Sequence, residues 1–540
     1  MRCEGKFVFL AFAFLVLTAF ASVSAAKTIY VPDDYAKIQW AVDSASIGDT
    51  IIVRDGTYYE NVVVNKKLTI KSENGSAYCI VDGSSSDVFT LKADGIRIEG
   101  FSITGGGDGI DIRSNNNIIS NSTISSNNDC GIYLMDSNNN TISNNLISSN
   151  NDYSIYLYES NNNIISNNLI SNNDYGIDLE GNINSIFNNI ISNNGGGMVL
   201  RGNNNSISNN IISNNNGGTY FYGNNNIISN NLISSNTYEG GIELWGNNNS
   251  ILNNNINSNY WYGIYLGYSN NNSISENNIS SNGYGIYLRY SNNNSISNNN
   301  ISNGYGIYLY ESNNNIIYLN NFINSICNAY SYDSTNIWNS TEPITYTYRG
   351  SEFKNYMGNY WDDYNGSDAN GDGIGDTPYS IDSDKDNYPL IEGFENYFVP
   401  TPTPAQTFDT GRPENPYPSI SGKFIGTIKT NKTIIATKLY TYACEGTGGH
   451  TEYALICNKT WCAYAEWDGY KEDWMNISFN KTVILMPYET YNITIVTGSY
   501  PQIHHTPSLK TENGWINCTE FTDANGKKYN DWIPAIMLWS

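Results

Sequence analysis

Between residues 109 and 326, apolar and polar positions follow a cycle of 21 to 23 residues, of which the stretch 153–174, YSIYLYESNNNIISNNLISNND, is one example. The pair Asn-x-Ile marks the phase: Asn140/Ile142, Asn163/Ile165, Asn184/Ile186, Asn205/Ile207, Asn226/Ile228, Asn249/Ile251, Asn272/Ile274, Asn294/Ile296 and Asn315/Ile317. Inside most cycles a second pair follows five residues later, as in Asn145/Ile147, Asn168/Ile170 and Asn189/Ile191. A disordered low-complexity tract keeps no such phase, so the cycle is a structural repeat.

Residues two apart on an extended chain share a face, so each Asn points with its Ile. Ahead of them stands an alternating strand, GIYL or SIYL, in which Ile155 and Leu157 face one way and Tyr156 and Tyr158 the other. Three short strands per cycle, with no helix-length segment, predict an all-β chain wound as a parallel β-helix. Coils about 4.8 Å apart make a dozen cycles a rod of about 60 Å. Inward Ile and Leu side chains contribute roughly 1.5–3 kcal/mol each when buried. The inward asparagines are expected to stack into a hydrogen-bonded amide ladder, and Asn also tolerates the left-handed backbone of tight corners. Such a ladder is favourable only if nearly continuous, because an unpaired buried amide costs about 1–3 kcal/mol.

The same register fixes two outward columns. One runs Asp111, Tyr133, Tyr156, Asp178, Val199, Tyr220, Glu243, Tyr265, Tyr287, Tyr308; the other runs Arg113, Met135, Tyr158, Glu180, Arg201, Tyr222, Trp245, Gly267, Arg289, Tyr310. Aromatic faces with polar tips suit sugar rings, which makes these ten Tyr and Trp side chains candidate carbohydrate contacts. For chemistry the best pair is Asp178 and Glu180, about 7 Å apart by strand rise, with Arg201 one coil on; that separation fits an inverting glycosidase. Asp108 and Asp111 are a weaker pair. The repeat has few cations to stabilise a developing anion and no His to act as acid or base, so the reading leans against catalysis.

The flanks carry other signals. The start, MRCEGKFVFLAFAFLVLTAFASVSAA, reads as a secretory signal over residues 1–26, with no further apolar run that would span or anchor in a membrane. DANGDGIGD (368–376) sets Asp368, Asn370, Asp372, the Ile374 carbonyl and Asp376 at the spacing of a calcium loop, with Gly373 for the sharp turn. Tyr379 replaces the closing Glu of the EF-hand pattern, and Asp382, Asp384 and Asp386 are nearby candidates to complete the coordination. FVPTPTPAQTF begins a stiff proline-spaced linker over 398–411, and 412–540 alternates like a β-sandwich.

A formal net charge of −24 with 14% charged residues argues against nucleic acid and for cations as company. In an exported chain Cys444, Cys457, Cys462 and Cys518 are expected to form two disulfides of undetermined pairing, whereas Cys79, Cys130 and Cys327 read as small buried side chains. His450, His504 and His505 are a weak candidate for zinc or copper, since adjacent histidines in a strand point apart. Asn-x-Ser/Thr glycosylation motifs are numerous; Asn248, Asn271 and Asn293 fall on one corner of successive coils, too close for all to carry a glycan.

The entry YVPDDYAKIQWAVDSASIGDTIIVRDGTYYENVVVNKKLTI resembles that of secreted pectate-lyase-like right-handed β-helices, which implies a helix over Asp33–Ala45 covering the open end. The repeats together with GNYWDDYNGSDANGDGIGDTPYSIDSDKDNYPL resemble NosD-type β-helix proteins of archaeal and bacterial surfaces and periplasms. The domain reading is a solenoid over 27–327, its cap over 328–397, the linker and a disulfide-stapled sandwich. The expected function is a secreted or cell-surface protein that binds polysaccharide or cell-envelope glycan, or serves as a scaffold, without catalysis. The rivals are a polysaccharide hydrolase, lyase or epimerase, and the copper handling that the resemblance implies.

Overall fold

The computed structural model describes residues 26–398, 407–458, 461–471, 473–487 and 489–540. The expected leader and most of the proline linker lie outside the described residues. The chain divides into two compact units, Met1–Val399 and Pro400–Ser540.

In the first unit three parallel sheets grow coil by coil. Sheet A has fourteen strands from Thr28–Val31 onward, sheet B fourteen from Gly56–Tyr59, and sheet C thirteen from Val62–Val64. One coil places Tyr153–Tyr158 in sheet C, Ile164–Ser166 in sheet A and Leu169–Ser171 in sheet B. Register is in phase throughout: Ile142 pairs with Ile165 and Ile165 with Ile186. Ile155, Leu157, Ile165 and Ile170 are all buried in one core that runs from Val31 to Ile381. The sequence pattern therefore builds the parallel β-helix it predicts, and sheet C continues through Cys327–Tyr332 while Tyr360–Trp361 adds the last strand of sheet B.

The asparagines form three buried ladders. In the first, Asn163 donates from its main-chain N and its Nδ2 to Asn184 Oδ1 at 2.8 and 3.2 Å, and its Nδ2 also reaches back to Ser137 O at 3.0 Å. The second ladder passes through Asn168 and Asn189. The third, through Asn150, Asn173 and Asn194, escapes the Asn-x-Ile pattern because a loop of varying length follows it. The residue before each ladder position holds the left-handed corner, as at Asn162, Asn167 and Asn172 with φ of 55°, 56° and 59°. Corner and ladder are thus separate jobs on adjacent asparagines.

All three ladders point their donors toward the C-terminal end, where the last N–H groups need an acceptor. Carboxylates provide it for the first two ladders, whereas in the third the Ser325 Oγ accepts from Asn303 N at 3.4 Å. Asp384 Oδ2 accepts from Asn336 N at 3.1 Å, and Asp386 Oδ2 accepts from Asn359 N at 2.7 Å. Asp382 Oδ2 accepts from Ser331 N. These three acids close the rod instead of completing the 368–376 loop.

At the other end the covering helix α1 spans Ile38–Ser44, shorter than the expected Asp33–Ala45. Asp34 turns back to accept the Tyr30 N–H, and Lys37 is extended, so the helix cannot begin earlier. Glu60 accepts the N–H groups of Ile38 and Gln39, which satisfies two of its orphan donors. Ile38, Ala41 and Val42 face the core.

The second unit is antiparallel. Phe408–Asp409, Ile434–Thr441, Asn476–Leu485 and Ile536–Trp539 form one sheet; Gly422–Thr430, Thr451–Cys457, Cys462–Glu466, Thr490–Thr497 and Gly514–Asp523 belong to the other. The two join through the pair Ala465–Phe479 and share one apolar core, a sandwich. Cys457 and Cys462 are bonded across a hairpin. The expected second disulfide is not formed: Cys444 Sγ contacts Ser419 and Pro501, whereas Cys518 sits opposite Gly426.

Candidate functional site

The outer face of sheet C carries both expected columns in register. Tyr133 pairs with Tyr156, Tyr156 with Asp178, and Arg201 with Tyr222; further along, Tyr265, Tyr287 and Tyr308 pair in turn. Tyr158, Tyr220, Trp245 and Tyr310 are placed likewise. The rings pack on one another, so most are half-buried. Tyr222 stacks on Trp245 at 4.9 Å and 7°, whereas Tyr287 meets Tyr308 edge-on at 4.9 Å.

A third aromatic column joins them: Tyr153, Tyr175, Tyr262, Tyr284 and Tyr305. Strict alternation would turn Tyr153 inward with Ile155. Ser154 and Ile155 are both buried, however, so the alternation slips by one and Tyr153 emerges on the outer face. It stacks on Tyr156 at 4.8 Å and on Tyr175 at 5.1 Å. The missed signal is a tyrosine followed by a small residue at the start of the strand, Ser after Tyr153 and Gly after Tyr175: a Cβ on Gly176 would lie 2.3 Å from Gly197 O, so the slip position is crowded by the next coil.

This third column is interrupted. Tyr175 pairs with Gly196 and Gly196 with Gly217, before tyrosine resumes at Tyr262. The absent rings leave an open groove of 420 Å³. Tyr153 and Tyr175 border it on one side, Tyr220 and Tyr222 on another, and Asp174, Asp178, Arg201 and Glu239 supply its charges.

Asp178 is 5% exposed and ion-paired to Arg201 Nη1 at 2.5 Å. Burial pushes its carboxyl above the usual carboxylate range, and the guanidinium only partly offsets this. Burial also raises Glu239, and it pushes Glu243 up to about 7 with help from the Glu239 charge. Glu180 does not share the groove. It lines a neighbouring depression with Asp136 and Glu159, and Arg201 and Tyr222 form the ridge between the two. The two candidate catalytic carboxylates therefore face separate spaces.

Asp108 lies near the start of the same face, pushed up to about 6 mainly by burial, while Asp111 pairs with Arg113 at 2.7 Å. In the 368–376 loop, Asp368 accepts the N–H groups of Gly371, Asp372 and Gly373. Asp372 accepts from Ile374 N, and Asp376 from Ala369 N. The carboxylates thus order the turn and retain lone pairs for an oxygen-seeking cation. Among the described residues no group of three or more His, Cys, Asp or Glu side chains is placed to hold a metal ion. His450 stacks on Trp467 at 3.8 Å and His504 contacts Gly411 O, while the neighbouring His505 is exposed.

Residues 42–217 and 199–366 match the family described as "Periplasmic copper-binding protein (NosD)". The chain belongs to the NosD family. Its three histidines all lie beyond the NosD-matched residues. A "Cell surface glycoprotein" of Methanothermus fervidus is 38% identical over 130 residues, which are 22% of this chain and 22% of the relative. The chain spans about a fifth of the length of that curated relative. Among solved structures, the A-module of a mannuronan C-5 epimerase from Azotobacter vinelandii is 16% identical, with 56% of this chain and 93% of that chain covered and a TM-score of 0.42. A PL6 alginate lyase in complex with a trisaccharide is 13% identical, with coverages of 61% and 91% and a TM-score of 0.46. Within the described residues no helix is long and apolar enough to cross a membrane.

Proposed function

We propose that this NosD-family protein works outside the cell membrane as a surface protein whose β-helix binds glycan chains along the outer face of sheet C, without transforming them. The observation that carries the reading is the groove over Gly196 and Gly217, an interruption in an otherwise continuous tyrosine column. Aromatic walls with a few convergent polar groups are the usual chemistry of a carbohydrate site. The likeness to a surface glycoprotein and the acidic charge support the location and argue against nucleic acid. The separation of Asp178 from Glu180 supports binding over hydrolysis, because an inverting pair must act on one bond from one cavity.

The 368–376 loop is proposed as a structural calcium site, held by Asp368, Asn370, Asp372, the Ile374 carbonyl and Asp376. In this reading the ion clips the C-terminal end of the rod and takes no part in glycan binding.

The test is a glycan array on the mature chain, with and without calcium, run beside assays for reducing sugar and unsaturated product. Binding without product is expected. Product that disappears in Asp178→Asn would replace this reading with an enzyme. A copper titration of the same sample decides the alternative named in the family description: stoichiometric copper uptake together with an absence of glycan binding would favour metal handling.

A further inference from the structure

The groove has a charge imbalance that selects its ligand. Arg201 is its cation, and its charge is engaged by Asp178. Asp174 and Glu239, at the groove lip, have no ion-pair partner among the described residues. A rail of carboxylates leads in from the N-terminal side: Asp129, Asp152 and Asp174 follow one another on successive coils, and burial with mutual repulsion raises the middle one. Glu243, in the adjacent column near the far lip, is pushed up to about 7 by burial and the Glu239 charge, so it adds only part of a negative charge at neutral pH.

The walls have shape as well as charge. Tyr175 and Tyr262 stand four strand steps apart, about 19 Å, with no tyrosine at the three positions between them, so the gap is elongated along the rod axis. Its floor is backbone at Gly217, while the Tyr175 ring leans over the buried Gly196, so a flat ring can settle over Gly217 between flanking aromatic side chains. A sugar ring there would meet tyrosine faces above a carboxylate field. Uronate sugars would bring further negative charge into a site whose one guanidinium is already neutralised. An ammonium on the sugar would instead supply the missing counter-charge and also sit favourably near tyrosine rings.

We infer that the Gly196–Gly217 groove binds a glycan chain carrying free amino sugars and excludes uronate polymers. The inference rests on the glycan-binding reading above and names the ligand class for that site.

The experiment measures affinity of the mature chain for three oligomers of matched length: β-1,4-glucosamine, its N-acetylated form and galacturonate. The glucosamine oligomer should bind at least tenfold more tightly than the N-acetylated one at low salt, with the difference shrinking as salt screens the carboxylates. The galacturonate oligomer should bind weakest. Gly217→Tyr refills the column; a Cβ there meets Tyr220 Oη at 3.1 Å, the movable end of a side chain. It should cut binding of the glucosamine oligomer tenfold or more while leaving the thermal transition in place. The double substitution Asp174→Asn with Glu239→Gln keeps the groove's shape and should abolish the amine preference while retaining the N-acetylated ligand.

Equal or tighter galacturonate binding overturns the ligand class, as does an amine preference that survives the double substitution. Binding untouched by Gly217→Tyr overturns the site but leaves glycan binding standing. Failure of all three oligomers, together with a blank array, overturns the proposed function itself.

Discussion

Replacing Asn210 by leucine tests the amide ladder where it is fully enclosed. Asn210 Oδ1 accepts from Asn189 N and Nδ2, both at 3.0 Å, and its Nδ2 donates to Ile186 O, Ser208 O and Asn231 Oδ1 at 2.9, 3.1 and 3.0 Å. In Asn210→Leu most of these partners keep another bond. Asn189 Nδ2 still reaches Ile165 O and Phe187 O, and Asn231 Oδ1 still receives Asn210 N. The Asn189 N–H is stranded without an acceptor, at about 1–3 kcal/mol, and each further lost bond costs about 0.5–1.5 kcal/mol. Burial of the leucine offsets part of this, so the net loss is expected at roughly 2–5 kcal/mol. The control is the neighbouring Asn209, exposed and left-handed at φ 56°. Asn209→Gly keeps that backbone conformation and should change stability by about 0.5 kcal/mol or less. Urea unfolding of the mature chain, followed by circular dichroism and tyrosine fluorescence, reads both; coincidence of the probes checks cooperativity, which a solenoid does not guarantee. An Asn210→Leu midpoint equal to wild type, or an equally large shift in Asn209→Gly, would refute the ladder as a source of stability.

Three further outcomes follow from the same contacts. Asn210→Asp should destabilise more at neutral pH than in acid, because the carboxylate cannot donate to Asn231 Oδ1; the mid-ladder position lacks what makes Asp386 acceptable at the end. An equal loss at both pH values counts against the acceptor-only argument. Glu243, raised from 4.5 to about 7, contributes stability that is complete below pH 4.5 and lost as pH rises through about 7. Glu243→Gln should therefore flatten the stability profile in that window, as read by thermal melts at successive pH values. If the 368–376 loop binds calcium, chelation should lower the melting temperature of wild type and leave Asp368→Ala unmoved; calorimetry showing the same shift in both would remove calcium from the loop.

The fold was legible because a solenoid is quasi-one-dimensional: a phase-locked Asn-x-Ile pair and an alternating GIYL strand fix coil, register and inward face from local sequence alone. Both outward columns, and with them Asp178, Tyr222 and Trp245, could be aligned for the same reason. Local reasoning failed where a contact crosses coils or breaks alternation. Tyr153 and Tyr175 reach the outer face only because the Ser154 and Gly176 positions pack against the next coil. The third ladder is recognisable only once Asn150 and Asn173 are stacked. Asp384 and Asp386 looked like cation ligands by spacing, but the polarity of the ladders above them decides their role.

By itself, then, the sequence determined the period, the parallel β-helix, the apolar interior and the aromatic outer face, since each depends on residues less than one coil apart. Tertiary structure alone decided that two carboxylates on one strand open into different depressions, that a run of glycines becomes a groove, and that Cys444 and Cys518 do not pair. Each of those depends on what the neighbouring coil or strand places alongside, and no spacing along a single chain segment encodes it.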